Sequence, residues 1–188
     1  MIKRILILFA IAQLSMMGYS QTPKWAEKAK KAVFSVVTYD ANDKILNTGN
    51  GFFISEKGVA ISDYALFKNA QRAVIITSEG EKMPVKAILG ANDMYEVVKF
   101  SVDITSKKVA NLTLSETPMT EGSKLWLLPY STQKVRSLTS GNVNSVDKIS
   151  DYAYYTINLP LKEKMVSCPL MNDEGLVVAL AQKASGQD

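Results

Sequence analysis

Few side chains in this sequence can move a proton or attack a carbonyl, and the missing type is as telling as those present. None of its 188 residues is a histidine, so an imidazole general base and a histidine-ligated metal are both excluded. The single cysteine, Cys168, directly follows Ser167, which sets a thiol beside a hydroxyl with no imidazole to activate either. A base for Ser167 would have to be Lys162 or Lys164 close by in sequence, a carboxylate such as Asp63 or Glu96 brought near in space, or Tyr64. Serine with a lysine base works on other folds. Cys168 reads best as a small buried apolar residue, because reactivity would need a depressed thiol pKa. One cysteine also rules out an intramolecular disulfide and any cysteine-based zinc site. Asp147, Asp151, Asp173 and Glu174 lack the close alternation of oxygen ligands that a calcium loop uses and read as solvated turn charges, so no metal or cofactor is expected. The sequon at Asn111 would matter only in a eukaryotic secretory route.

The elements that must hold these residues are short and β-rich. Thr22 followed by Pro23 resembles an N-cap with proline at the first helical position, opening a short helix through Trp25, Ala26, Ala29 and Ala32. From Val33 onward the pattern predicts strands over 33–39, 51–55, 59–62, 73–78, 85–89, 97–102, 112–114, 124–128, 135–146, 152–159 and 176–182. Turn residues at 40–43, 56–58, 79–81 and 173–175 separate them at the spacing of antiparallel barrels or sandwiches. On the strand 152–159, Tyr152 and Tyr154 share one face and Tyr155 takes the other.

The N-terminus couples Lys3 and Arg4 to an apolar run over 5–14, too short to span a bilayer stably, with small residues near position 20. It reads as a bacterial secretory signal, residues 1–20, cleaved before Gln21 to leave a secreted or periplasmic protein without stable membrane insertion, with an uncleaved N-terminal anchor as the alternative. Of 22 basic residues, losing Lys3 and Arg4 leaves 20 against 18 acidic ones, a net charge of +2. So small and dispersed a charge gives no footprint for nucleic acid. The remaining length, with 47% apolar residues overall, suffices for one substantial core.

Four stretches carry a resemblance. Residues 48–55 (Thr-Gly-Asn-Gly-Phe-Phe-Ile-Ser) with Gly58 and Val59, residues 90–100 led by Gly90, residues 138–143 (Leu-Thr-Ser-Gly-Asn-Val), and Ser167-Cys168-Pro169-Leu170 resemble the landmarks of trypsin-like serine proteases of the Deg/HtrA type, over roughly 33–180. The resemblance implies an all-β, trypsin-like double β-barrel with a short N-terminal helix, its first barrel over about 33–115 and its second over about 121–188. It also places the triad. The base position, seven residues after Gly58, falls on Ala65; the aspartate position falls on Glu96; the nucleophile position, three residues before Pro169, falls on Val166. Lys164 stands where the family has a glycine that turns backbone toward the oxyanion. The strand with Tyr152 and Tyr154 borders the family's substrate groove, so a peptide cleft would involve Tyr152, Tyr154, Lys164 and Ser167, although packing against the barrel is the stronger reading of the tyrosines.

Ala65 accepts no proton and Val166 offers no attacking atom. The family's fold continues with one further strand after 176–182, so the second barrel is expected to be incomplete at the C-terminus, as in a fragment or truncated product, or to present an edge needing a partner. Three functions stay open: an inactive protease-fold module binding a peptide or protein, an active serine endopeptidase with relocated groups, and a scaffold domain of a longer protein. Oligomeric state is not legible.

Overall fold

The computed structural model describes residues 22–105, 107–131, 138–149, 152–162 and 165–182. The expected signal, Lys164 and Asp151 lie outside these. One short helix, α1 (Ala26–Ala32), precedes β1 (Val33–Tyr39), β2 (Ile45–Phe53), β3 (Val59–Asp63), a 3-10 turn (Tyr64–Phe67), β4 (Arg72–Ile76), β5 (Lys82–Asn92) and β6 (Val97–Val102). These six strands close an antiparallel barrel in the order β1-β2-β3-β6-β5-β4. Then come β7 (Lys124–Leu127), β8 (Thr139–Ile149), β9 (Tyr152–Ile157), β10 (Pro169–Met171) and β11 (Val177–Leu180), which form an open sheet ordered β11-β10-β7-β8-β9.

Alternating side chains explain how the strands divide the core. On β1, Phe34 and Val36 point into the barrel, where they meet Phe53, Ile75, Val98 and Phe100. Val33, on the other face, joins Phe52 and Ala29 and Ala32 of α1 in a second cluster with Leu112, Trp126, Leu128, Met171 and Val177. That cluster cements the barrel to the sheet. A third, around Leu125, Leu127, Val143, Cys168 and Leu170, lies within the sheet's curve. Gly51 is required by this packing, since a Cβ there would stand 2.6 Å from the Phe34 ring and 3.1 Å from the Ile61 carbonyl.

Several expectations need correcting. The helix begins at Ala26, not behind a Thr22 cap: the Ala26 amide bonds the Pro23 carbonyl, and Trp25 holds the cap position with no side-chain cap bond. Tertiary anchoring fixes this start, because the Trp25 indole donates to the Asp173 carbonyl (2.8 Å) and meets Trp126 edge-on at 6.2 Å. Strand β2 starts at Ile45, six residues before the expected 51, since its polar stretch is recruited by pairing with β1. Residues 112–114 form only a bridge from Leu114 to Val177, and β10, begun by Pro169, was not expected at all.

Candidate functional site

The junction between barrel and sheet is bound by polar contacts that the sequence does not advertise. Asn50, on β2 between Gly49 and Gly51, is buried; its Nδ2 donates to the Val166 carbonyl (2.7 Å) and its Oδ1 accepts from the Tyr130 amide (2.9 Å). Small neighbours let that side chain cross to the sheet. The Ser62 hydroxyl donates to the Asn50 carbonyl (2.6 Å), linking β2 to β3. Next to Ser62, Asp63 caps the 3-10 turn by accepting from the Ala65 amide (2.8 Å). The Tyr64 amide donates to the Glu96 carbonyl (3.0 Å). From the far side Gln182 donates to the carbonyls of Tyr95 (3.1 Å) and Glu96 (3.3 Å), while the preceding Ala181 accepts from the Ser167 amide (2.8 Å).

These bonds run in a circuit from Val166 through Asn50, Ser62, Asp63, Tyr64, Glu96, Gln182 and Ala181 to Ser167, which adjoins Val166. Glu96 and Val166 stand on this circuit, and Ala65 adjoins it through the hydrogen bond of its amide to Asp63. Tyr152 joins it through its stack on Tyr95, with ring centroids 3.7 Å apart. Tyr154 is 37% exposed on the same face of β9, and Tyr155 turns inward to accept from the Met119 amide (3.1 Å). Asn50, Gln182 and Tyr95 were not singled out from sequence; a buried asparagine flanked by glycines was the one usable signal.

The electrostatics limit what the junction can do. Burial pushes the Asp63 carboxyl above its usual range, and the nearby Glu96 charge adds to the effect against the opposing Ala65 amide and Lys68. Lys68 pairs with Asp93 (2.7 Å) and Glu96 Oε1 (3.3 Å), and these bonds hold its ammonium above its ordinary value. A lysine so held is a poor proton acceptor. Burial also drives the Cys168 thiol well up, so it is not a thiolate at neutral pH. Ser167 sits at φ 66°, fully buried, and among the described residues its Oγ and Glu96 Oε2 are buried atoms without a hydrogen-bond partner. No group of three or more His, Cys, Asp or Glu side chains suited to a metal occurs among the described residues. No helix among them is long and apolar enough to cross a membrane.

A family model described as the trypsin-like peptidase domain matches residues 49–180. No curated protein matches the chain significantly. Among solved structures, the crystal structure of the serine endoprotease from Yersinia pestis is similar with a TM-score of 0.70 at 13% identity, covering 85% of this chain and 56% of that one. The chain thus spans little more than half the length of that structure, and at such identity the likeness is one of fold.

Proposed function

The chain belongs to the trypsin-like peptidase domain family and has its double-barrel fold, with the second barrel open, and on that premise we propose that it is an exported protein that has given up peptide hydrolysis and binds a peptide or protein segment at the junction. The observation that carries this reading is the makeup of the circuit: Glu96 and Val166 stand on it and Ala65 adjoins it through Asp63, two of the three with hydrocarbon side chains, in a chain without an imidazole. Transferring an acyl group needs a nucleophile, a base to take its proton and donors for the oxyanion. Ser167, the hydroxyl next to the nucleophile position, has no base bonded to it, and its own amide is committed to Ala181; the Ser62 hydroxyl is committed to the Asn50 carbonyl. Glu96 has no histidine to orient and engages Lys68 instead. What favours binding is the aromatic face of Tyr152 and Tyr154 beside the junction, 49% and 37% exposed. Export, to the periplasm or beyond, rests on the signal-like residues 1–20.

The test is a fluorophosphonate probe on the purified protein together with capture from a peptide library. No labelling is expected, with sequence-selective capture that falls in Tyr154→Ala. Labelling that is lost in Ser167→Ala would establish a relocated nucleophile and overturn the inactive reading, and absence of any capture would favour a scaffold role.

A further inference from the structure

Twice among the described residues the protein holds one of its own cations between a tyrosine ring and a carboxylate. The Arg72 guanidinium lies over the Tyr39 ring, 3.6 Å from its centroid, and its Nε donates to Asp43 at 2.7 Å. The Lys68 ammonium lies 5.4 Å from the centroid of the Tyr64 ring and pairs with Asp93 and Glu96. The physics is the same in both: the ring's quadrupole attracts a cation at its face, the carboxylate supplies the opposite charge, and an arginine or lysine meets both at once. In the first case strand pairing makes the contact, since Tyr39 of β1 stands directly opposite Arg72 of β4.

The β8–β9 hairpin carries a tyrosine and a carboxylate in that relation on its exposed face. Asp147 stands directly opposite Tyr154, so the two side chains share a face with Cβ atoms about 5 Å apart, and both are exposed. Among the described residues Asp147 makes no ion pair and no cation lies over the Tyr154 ring. Lys148, next to Asp147 in sequence, stands opposite Ala153 and takes the other face. At the neighbouring β5–β6 tip, Asp93 and Glu96 are both engaged by Lys68. Two residues along the hairpin, about 7 Å away, Ile149 stands opposite Tyr152 on the same face, 59% and 49% exposed. The Tyr152 ring is held there by its stack on Tyr95. An apolar pair thus adjoins the pair of ring and carboxylate.

We propose that this face selects peptides carrying an arginine or lysine, whose cation lies between the Tyr154 ring and the Asp147 carboxylate while an apolar neighbour rests on Ile149 and Tyr152. Asp147 is then the residue that sets specificity. A neutral side chain in the same place gains neither attraction, and an acidic one is repelled by the carboxylate. The inference rests on the aromatic face being the surface that binds, and adds to it the class of side chain recognised.

The test uses the full chain, the peptide library, and three fluorescein-labelled versions of a captured peptide that differ at one position: arginine, citrulline, which keeps the shape without the charge, and glutamate. Captured peptides should be enriched in arginine or lysine. By anisotropy the arginine peptide should bind about five- to tenfold more tightly than the citrulline peptide and the glutamate peptide more weakly still, with the arginine advantage shrinking as salt is raised. Asp147→Asn, at an exposed position, should remove most of that advantage and leave the citrulline peptide's affinity unchanged, and Asp147→Lys should turn the preference toward glutamate. Equal affinity for the arginine and citrulline peptides, or an arginine preference untouched by Asp147→Asn, would overturn this inference. So would selective capture of peptides without a basic residue; if that capture falls in Tyr154→Ala, the aromatic face still stands as the binding surface. No capture and no binding of any peptide would overturn both readings.

Discussion

Replacing Asn50 by alanine tests whether the barrel and the sheet are locked together by a single side chain. In the wild type, Nδ2 reaches the Val166 carbonyl at 2.7 Å and Oδ1 takes the Tyr130 amide at 2.9 Å, in a residue only 4% exposed. Truncation leaves a carbonyl and an amide at a buried junction without those partners. Each such loss costs about 1–3 kcal/mol, so the pair amounts to roughly 2–6 kcal/mol. For a domain of this length a loss near 3 kcal/mol lowers the melting midpoint by about 6–12 °C. Trp25 and Trp126 both lie in the cluster that joins the two halves, so their fluorescence during urea or thermal unfolding reports the effect. Asn50→Asp sharpens the test: it keeps an acceptor for Tyr130 but turns a carboxylate oxygen toward the Val166 carbonyl. It should therefore be at least as damaging at neutral pH and recover on acidification, when the protonated acid can donate. An alanine variant within about 0.5 kcal/mol of wild type, or an aspartate variant indifferent to pH, would refute the reasoning.

Ser167→Gly should stabilise by about 1 kcal/mol, because φ 66° is a left-handed conformation that glycine adopts without strain; a lower urea midpoint would show that the hydroxyl contributes more than the strain costs. Asp63 binds its proton more tightly folded than unfolded, so its contribution to stability rises as pH falls through the elevated folded value and levels off below the ordinary 3.8. Asp63→Asn, which can still cap the turn, should be more stable than wild type at neutral pH and lack that acid gain, and parallel stability curves for the two proteins would contradict this. Cys168, 0% exposed with its thiol pushed up by burial, should resist a disulfide-exchange reagent in the native protein and react fully once unfolded in guanidinium, whereas rapid native labelling would mean the sheet's core opens.

Local patterning made most of the elements legible. Strands β1 and β6 fall where the pattern put them, because each carries apolar residues dense enough to show in the sequence. The glycine landmarks at Gly51, Gly58 and Gly141 were equally readable, and the family model, matching 49–180, covers all three. Elements that borrow their stability were not readable. The polar stretch 47–50 of β2 is strand because β1 pairs with it, and β10 is three residues held between two neighbours. The start of α1 was misplaced because Trp25 is fixed by Asp173, about one hundred and fifty residues away, rather than by a local cap.

By itself the sequence determined what chemistry is absent: a chain with no histidine and one cysteine has no imidazole base and no intramolecular disulfide in any conformation. Composition settles such questions because a missing functional group cannot be supplied by folding. Only the tertiary structure decided how the remaining groups meet, through Asn50 reaching Val166, Gln182 reaching Glu96, and a thiol and a carboxyl shifted by burial. Long-range contacts and desolvation depend on which surfaces close over which side chains, and neither is encoded in any short stretch of residues.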